Sequence, residues 1–475
     1  MKYYLVGIKG TGMSALAKLL KDQGNEVVGS DVVEHYFTED SLIEKGITIK
    51  NFDENNINSD YFYIIGNAFN DENIEVKTIK INQYQYMYYH DFIGKMLNKK
   101  TIACCGTHGK TTTTYFLTRM LDKKCNYIIG DGDGKGYDNE LLVLEACEYK
   151  KHFLSYHPEL LIINNIELDH TDFYKSIKEL INAFQLAANN SKIILANGDD
   201  KNVNKIKHSN KITYGFKKNN DIVIKILSTT TKGYYIQVKY QVNYYLHVPY
   251  LGKHMIYNYV ASYMALKILG YIPKQLTSND LPKRRLTTIN YYDNILIDDY
   301  AHHPTEIASL YNTLKLSYPN RKINVIFQPH TYERTIHFKR QFKKVLKVFD
   351  KVYLLDVFTS KREKYNLNMQ DKIDKYFKHF NKIEDLNVSK IKDYAEIWVF
   401  LGAGLANEIL LNLINKEKCE NFHKICKLSC KKNKLWYNIY VHYIKNSDER
   451  GIQWKTTNAW VLIKFMTLRG QLEFL

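Results

Sequence analysis

The stretch TIACCGTHGKTTTT, residues 101–114, is the feature that most constrains the fold of this chain. It begins with an apolar strand pattern, continues through Gly106 and Gly109, and ends in residues that predict a helix from about Lys110. A strand, a glycine turn and a helix in this order form a βα unit whose loop N–H groups turn inward. The usual phosphate-loop pattern has glycine at the position of Cys104. Cys104 falls at the predicted strand end, however, so this departure removes no backbone donor.

The loop contains the groups that bind nucleotide phosphates. Its helix N-terminus contributes partial positive charge, Lys110 can reach terminal phosphates, and the Thr111 hydroxyl suits Mg²⁺. The sequence therefore predicts a nucleotide with a divalent cation. The candidate nucleotide-binding residues are Gly106, Thr107, His108, Gly109, Lys110, Thr111 and Thr112.

Two further polar positions follow predicted strands in the same segment. Glu145 comes after the apolar run 141–144, and Asp169 and His170 follow the run 160–163. Ligands of open α/β sheets bind at the carboxyl ends of the strands, so Glu145 and His170 are candidate metal ligands. Polar side chains with ordinary structural partners remain the alternative for each.

The N-terminal segment predicts a Rossmann-like unit. Residues 3–8 predict a strand, residues 13–20 a helix, and residues 26–29 a second strand that ends at Ser30 and Asp31. The glycines between strand and helix follow the spacing G-x-x-G-x-G, which permits close approach to a diphosphate. A plain tight turn fits the same spacing.

The rest of the pattern predicts an α/β fold in three domains, because 475 residues exceed one hydrophobic core. Even positions from 234 to 248 are apolar, which predicts antiparallel strands beside a parallel core. The predicted third unit has strands at 294–297, 323–327, 352–356 and 397–401, and helices from 305 and after 335. The predicted domains are 1–95, 96–282 and 283–415, followed by a tail of unknown nature at 416–475.

Polar residues also follow the strands of the third unit. His302, His303, His330 and Arg334 are expected to converge on one edge as a basic rim for a carboxylate or phosphate. Residues 283–285, KRR, lie at the predicted boundary between the second and third domains. A charged hinge is their plainest interpretation.

Composition argues against several other classes. The net charge is +17, but the lysines are scattered along the chain and do not form a nucleic-acid-binding stripe. No apolar run reaches membrane-spanning length and no secretory signal is evident, so a cytoplasmic location is expected. Seven cysteines do not suggest a disulfide framework. Cys419, His423, Cys426 and Cys430 would span roughly 16 Å on a helix, which is too far for one zinc ion.

Together these motifs resemble the Mur ligase family. The strings that carry the resemblance occur in family order over residues 1 to about 412, and they are GIKGTGMSALA, SD, GTHGKTTTT, YIIGDGDGKG, EACEYKKHFLSYHPELLIINNIELDHTDF, NGDD, GKHMIYN, KRR, DDYAHHPTEI, FQPHTYERT and FLGAG. The resemblance implies an N-terminal Rossmann-like domain for a UDP-sugar, a central P-loop ATPase domain with a mixed sheet, and a C-terminal Rossmann-like domain.

The implied activity is the ATP-dependent joining of L-alanine to the lactyl carboxylate of UDP-N-acetylmuramic acid in peptidoglycan synthesis. ATP would phosphorylate the carboxylate, and the alanine amine would displace phosphate from the acyl phosphate. ATP and Mg²⁺ are the implied cofactors. The sequence does not indicate an oligomeric state.

Site residues follow from the matching motifs. The implied catalytic residues are Lys110, Glu145, His170, His302 and Arg334, and the implied metal ligands are Thr111, Glu145 and His170. Asn258, Arg284 and Arg285 would join residues 106–112 around the nucleotide. The implied substrate-binding residues are Gly10, Thr11, Gly12, Met13, Ser14, Asp31, Tyr300, His302, His330 and Arg334.

Three positions depart from the family pattern. Met255 stands where many relatives have asparagine, Thr331 where arginine is common, and Leu405 where aspartate is usual. Two alternatives stay open: a ligase that attaches a preformed peptide to the same UDP-sugar, which the FQPHTYERT motif does not separate from the alanine ligase, and, given these departures, a nucleotide-binding relative without catalysis.

Overall fold

The computed structural model describes residues 1–96, 100–121, 124–359, 365–402 and 404–415. Residues Met1–Glu408 form one compact unit that contains three sheets. The predicted tail, with Cys419, His423, Cys426 and Cys430, lies outside the described residues. No helix in the described part of the chain is both long enough and apolar enough to cross a membrane.

The N-terminal sheet has five parallel strands in the order β3-β2-β1-β4-β5. This is the order of a Rossmann-like half, as predicted. Its elements are β1 (Lys2–Val6), α1 (Thr11–Asp22), β2 (Glu26–Asp31), α2 (Glu39–Glu44), β3 (Thr48–Asn51), β4 (Phe62–Ile65), α3 (Ile74–Ile81), β5 (Tyr86–Tyr88) and α4 (Tyr89–Met96).

The central sheet has ten strands in the order β15-β14-β13-β12-β11-β10-β6-β9-β7-β8. Strand β6, which leads into the glycine loop, lies in the parallel part between β9 and β10. The elements are β6 (Lys100–Cys105), α5 (Lys110–Met120), β7 (Asn126–Ile128), β8 (Gly134–Lys135), β9 (Leu141–Glu145), β10 (Leu160–Ile163), α6 (Ile177–Asn189), β11 (Ile193–Asn197), β12 (Lys211–Gly215), β13 (Ile222–Thr230), β14 (Gly233–Tyr240), β15 (Val242–Val248) and α7 (Lys253–Ile268).

The predicted antiparallel part of this sheet is confirmed. Strands β13, β14 and β15 pair antiparallel. Tyr234, Ile236 and Val238 are buried, whereas Tyr235 and Lys239 face outward. Because side chains alternate faces along a strand, the period-two pattern marks one face that packs on the core. The sheet is therefore mixed, with a parallel core, the predicted antiparallel edge at β13–β15, and a short antiparallel pair, β7 and β8, at the other edge.

The C-terminal sheet has the order β16-β17-β21-β18-β19-β20 and is parallel except for β16, which pairs antiparallel with β17. Strand β16 was not predicted, because it is a short, largely exposed edge strand. The elements are β16 (Thr287–Tyr291), β17 (Asn294–Asp299), α8 (Pro304–Ser317), β18 (Ile323–Phe327), α9 (Tyr332–His337), α10 (Lys339–Leu346), β19 (Lys351–Leu354), α11 (Leu367–Phe377), β20 (Asn381–Lys382) and β21 (Ile397–Leu401).

Two predicted boundaries in this sheet were wrong. A helix begins at Tyr332, before the predicted start after residue 335, because Thr331 turns the chain with φ of +63°. Strand β19 ends at Leu354, two residues earlier than predicted, where its pairing with β18 and β20 stops.

Helix α1 of the N-terminal sheet packs directly on the β7–β8 hairpin of the central sheet. A Cβ atom at Gly134 would lie 2.1 Å from the carbonyl oxygen of Ala15, and one at Gly136 would lie 2.2 Å from that of Leu19. Lys18 also donates to a hairpin carbonyl at 2.8 Å. Only glycine permits so close an approach, so the hairpin joins these two sheets by backbone contact.

Candidate active site

The glycine loop after β6 is shaped by two residues with positive φ. Gly106 has φ of +143°, and Gly109, directly before α5, has φ of +79°. A Cβ atom at Gly109 would lie 2.6 Å from the side-chain oxygen of Asn258 on α7. Asn258 thus lies against the loop, next to the predicted nucleotide-binding residues.

The first half of the loop is fixed by the segment that follows β10. The Thr107 and His108 amides donate to the carbonyl and side-chain oxygens of Asn165, at 3.1 and 2.8 Å. The Thr107 hydroxyl donates to the Glu167 carbonyl at 2.8 Å. These two amides are therefore engaged within the protein, and we expect phosphate donors further along, toward the start of α5.

Lys110 lies buried between the loop and an acidic partner that the sequence analysis missed. Its ammonium donates to the carbonyls of Gly106 (2.6 Å) and Thr107 (3.2 Å), and to a Glu148 carboxylate oxygen at 3.1 Å. Burial alone would lower the pKa of Lys110, but the charge of Glu148 outweighs it and raises that pKa. Burial would likewise raise the pKa of Glu148, which Lys110 instead holds low. Both groups are therefore charged, and the signal that could have indicated Glu148 is its place three residues after Glu145.

The three predicted metal ligands lie around this ion pair. The Thr111 hydroxyl donates to Glu145 at 3.1 Å, and the Gly130 amide donates to the other Glu145 oxygen at 2.6 Å. The His170 Nε2 atom lies 3.5 Å from Glu148. Its Nδ1 atom is buried and makes no hydrogen bond to any described residue. These are ligand types that a divalent cation accepts, but the His170 atom that faces Glu148 is Nε2 and not the unsatisfied Nδ1, so the metal role of Thr111, Glu145 and His170 stays a prediction.

The C-terminal domain contributes Arg334 to the same region. Its Nε and Nη2 atoms donate to the two carboxylate oxygens of Asp169, at 3.0 and 3.1 Å, and Nη1 lies 2.8 Å from the His330 Nδ1 atom. The His302 ring lies 5.3 Å from the His330 ring. The predicted convergence of His302, His330 and Arg334 is thus present in the structure.

The rim carries less positive charge than the sequence analysis predicted. Burial and the charge of Arg334 lower the pKa of His302 to about 4, so this imidazole is neutral at pH 7. His303 was expected on the rim, but it is buried and its side chain accepts from the Thr305 amide at the start of α8. A side chain that caps a helix is held at that helix, which explains the difference.

The two boundary arginines have different surroundings. Arg284 is paired with Asp298 (Nε to Oδ2, 3.2 Å) and also donates to the Gly402 carbonyl at 2.6 Å. Arg285 instead lines a cavity of about 270 Å³ between the central and C-terminal domains. Both guanidinium groups lie over the Tyr300 ring, at 5.2 and 5.6 Å. Arg285 is therefore better placed than Arg284 to meet a bound nucleotide.

This cavity joins the glycine loop to the C-terminal domain. Met255, one of the departures from the family pattern, is buried and supplies an apolar part of its wall. The polar lining residues include His108, Asn165, Glu167, Asp200, His254, Asn258, Arg285, Asp299, Thr305, Glu306 and Ser309. An apolar wall with a few convergent polar groups is typical of nucleotide and other small-molecule sites.

The residues predicted to bind the UDP end of the substrate lie at the N-terminal end of α1 and at the C-terminal end of β2. Gly10 precedes the first residue of α1, Thr11, and a Cβ atom at Gly12 would lie 2.6 Å from the Tyr89 hydroxyl. Ser14 and Met13 are buried on the same helix. The Asp31 carboxylate is buried and accepts from the amides of residues 9 and 32, both at 2.8 Å. Asp31 therefore stabilises the turn, and its contact with a uridine stays a prediction.

The other two departures lie at the rim and beside β21. Thr331 is buried, its amide donates to the Phe358 carbonyl at 3.0 Å, and it lies beside Arg334 in a cavity of about 50 Å³. Leu405 is largely exposed, and its amide donates to the Gln328 side chain. Neither contact depends on the charged side chains that are usual at these positions.

Models of the Mur ligase family match most of the chain. Its catalytic domain matches residues 2–101, the Mur ligase middle domain matches residues 104–266, and the glutamate ligase domain matches residues 284–403. The chain therefore belongs to the Mur ligase family.

Individual members of this family resemble the chain in sequence and in structure. The chain is 40% identical over 418 residues to a UDP-N-acetylmuramate–L-alanine ligase of Streptococcus pyogenes serotype M2, covering 85% of this chain and 94% of that protein. UDP-N-acetylmuramate-alanine ligase MurC from Thermotoga maritima has a similar structure, with a TM-score of 0.74, 24% identity, and coverage of 88% of this chain and all of that one (100%). A murein peptide ligase from Psychrobacter arcticus also shares the fold, with a TM-score of 0.65, 19% identity, and coverage of 87% and 98%.

Proposed function

We propose that this protein is an ATP-dependent ligase that joins L-alanine to the lactyl carboxylate of UDP-N-acetylmuramic acid in peptidoglycan precursor synthesis. The observation that carries the proposal is the 40% identity to an alanine-adding ligase across 85% of the chain. It is supported by the placement of Lys110, Glu145 and His170 around one buried charge cluster. We place the reaction in the cytoplasm, where ATP is supplied.

The chemistry follows from the poor reactivity of a carboxylate. A carboxylate oxygen attacks the γ-phosphorus of ATP, the bond to the β-phosphate oxygen breaks, and ADP leaves. The product is an acyl phosphate, whose carbonyl carbon the neutral alanine amine attacks. Collapse of the tetrahedral intermediate expels inorganic phosphate, and the amine loses a proton as the amide forms. Each step concentrates negative charge, so cations and oriented N–H groups are the main source of catalysis.

The chain's own residues have distinct roles in this proposal. Lys110 holds positive charge beside the transferring phosphoryl group, and the start of α5 supplies N–H donors. Asn258 and Arg285 contact the nucleotide in the interdomain cavity. Arg334 holds the rim in place through Asp169 and His330, and neutral His302 is available as a hydrogen-bond partner for the amine.

Thr111, Glu145 and His170 would hold Mg²⁺, with Glu148 beside them. When bound, the cation would supply charge neutralisation for the phosphate oxygens. The residues themselves shape and orient this position: Glu145 is fixed by the Gly130 amide, and Glu148 by Lys110. The N-terminal residues Gly10 to Ser14, with Asp31, would bind the UDP end of the sugar nucleotide.

Phosphate release from ATP tests the proposal directly. The full chain is incubated with ATP, Mg²⁺ and UDP-N-acetylmuramic acid, and L-alanine, glycine, L-serine or a wall tripeptide is added separately. We expect release that depends on both the UDP-sugar and L-alanine. Release with the tripeptide alone would instead identify a peptide-recycling ligase, and nucleotide binding without any turnover would identify a non-catalytic relative.

A further inference from the structure

The side chain of His108 connects the glycine loop to the C-terminal domain. Its Nε2 atom lies 3.1 Å from a Glu167 carboxylate oxygen of the central domain, and its Nδ1 atom lies 3.3 Å from a Glu306 carboxylate oxygen on α8. The Thr305 hydroxyl adds a direct bond between the domains by donating to Glu167 at 2.9 Å. We call His108, Glu167 and Glu306 the interdomain clasp.

Each ring nitrogen of His108 faces a carboxylate, which can only accept a hydrogen bond. Because an imidazole donates from both nitrogens only when it is protonated, this position favours the protonated form. Burial alone would lower the pKa of His108, but its hydrogen bonds to Glu167 and Glu306 outweigh burial and raise that pKa to about 9. Burial would raise the pKa of Glu306, and the hydrogen bond from His108 holds that pKa well below its usual range. The clasp therefore carries one positive and two negative charges at neutral pH.

The neighbouring imidazole does not share this charge. The His303 ring lies 4.8 Å from the His108 ring, and burial, with the charge of His108, lowers the pKa of His303 to about 4. Because His303 Nδ1 accepts from the Thr305 amide, the proton of the neutral ring lies on Nε2. A metal ion at Nε2 would have to displace that proton and disturb the helix cap, so the cluster fits a proton better than a metal.

Glu306 extends the contact to the reaction site. Its second carboxylate oxygen accepts from the amides of His302 (3.0 Å) and His303 (3.2 Å). The Glu306 carboxylate therefore connects the charged His108 of the glycine loop to the backbone amide of His302. Glu306 also faces the charges of Arg285 and Asp299 and the neutral imidazoles of His254 and His302, whereas Asp169 acts on His303.

We propose that His108 is a positioning residue whose protonated side chain holds the C-terminal domain on the glycine loop and so couples nucleotide binding to domain closure. This inference rests on the proposed function. The sign of its pH dependence follows from linkage. A group whose folded pKa is raised stabilises the clasped state fully below its ordinary pKa near 6.5, and this contribution is lost as pH rises through about 9.

Equilibrium binding of ADP to the full chain between pH 7 and pH 10 tests the inference. We expect the affinity of the natural protein to fall at least about fivefold over this range. His108→Gln should bind weakly and with little pH dependence, because a neutral amide cannot supply the charge. His108→Arg and His108→Lys stay charged, so their affinity should change less between pH 7 and pH 10 than that of the natural protein. Glu167→Gln, which removes one partner without touching the cap of α8, should flatten the profile in part.

The outcomes separate this inference from the proposed function. If ADP binds with the same pH dependence in the natural protein and in His108→Arg and His108→Lys, the positioning role is wrong, although the ligase proposal stands. If ADP does not bind to the natural protein at all, the ligase proposal itself fails. Melting temperatures of all variants identify any that fail to fold. A His108→Gln protein that has the melting temperature and the ADP affinity of the natural protein also overturns the inference.

Discussion

Arg334 of the C-terminal domain and Asp169 of the central domain form a buried bidentate ion pair, with nitrogen-to-oxygen distances of 3.0 and 3.1 Å. Asp169 stands directly before His170, a predicted metal ligand, and Arg334 contacts His330 on the rim. The pair therefore fixes the position of the C-terminal rim relative to the phosphate loop. Planar, two-point contact of this kind gives orientation as well as attraction.

Asp169→Asn should impair catalysis more than folding of the separate domains. The amide can accept only one of the two guanidinium bonds and leaves Arg334 without a charge partner, at a cost of about 3 kcal/mol. Misplacement of the rim should lower kcat by about 100-fold. Phosphate-release kinetics check the value. Glu159→Gln, which breaks the exposed Lys192–Glu159 pair of 2.7 Å, is the matched control and should leave kcat unchanged. Equal kinetics in the two variants would contradict this role.

Lys110→Ala should lower turnover by about 1000-fold or more, because the other cation of the glycine loop, His108, is held between Glu167 and Glu306 and cannot replace the lysine at the phosphates. Circular dichroism should show an unchanged fold. Lys232→Ala, at an exposed position of the same domain, provides the control. Turnover near the natural rate would show that this loop is not the ATP site.

Glu145→Gln should raise the Mg²⁺ concentration needed for half-maximal activity by about tenfold or more. The amide keeps the shape of the side chain but loses the negative charge that a hard cation prefers. A magnesium titration of phosphate release measures the shift, with Glu140→Gln at an exposed position of the same domain as the control. An unchanged titration curve would remove Glu145 from the metal site.

Gly109→Ala should weaken ADP binding by about tenfold, since a methyl group would press on Asn258 as well as strain the backbone. The matched variant is Gly270→Ala, because Gly270 has φ of +81°, close to the +79° of Gly109, but a Cβ atom there meets nothing within 4 Å. Both variants should lose about 1 kcal/mol of unfolding free energy from strain alone. Only Gly109→Ala should change the Kd for ADP, which isothermal titration measures, and equal Kd values would argue against the Asn258 contact.

The sequence predicted the buried parallel strands because their signals are local, whereas the short, exposed edge strand β16 was missed. Strands β10, β18 and β21 occupy the predicted residues, since buried parallel strands are continuous apolar runs. The position of Glu145 at the end of a strand was predicted because an apolar run followed by a carboxylate is a local signal, whereas its metal role, like that of His170, stays a prediction. Glu148 was missed because its importance comes from Lys110, which is distant in sequence. The neutrality of His302 and the cap made by His303 were missed for a similar reason: burial and nearby charge are properties of the assembled domains.

The backbone contact between α1 and the β7–β8 hairpin limits how this protein can be recombined with its relatives. Gly134 and Gly136 lie directly against the backbone carbonyls of α1, and a side chain at either position would collide with these carbonyls. The hairpin therefore fits only a helix whose backbone runs in the same position. The helix and the hairpin lie more than 100 residues apart in the sequence and in different domains, yet their shapes fit each other closely. A chimera that borrows the first domain from another ligase must therefore take a compatible 130–136 hairpin with it, and a breakpoint near residue 95 alone would separate the two halves of that match.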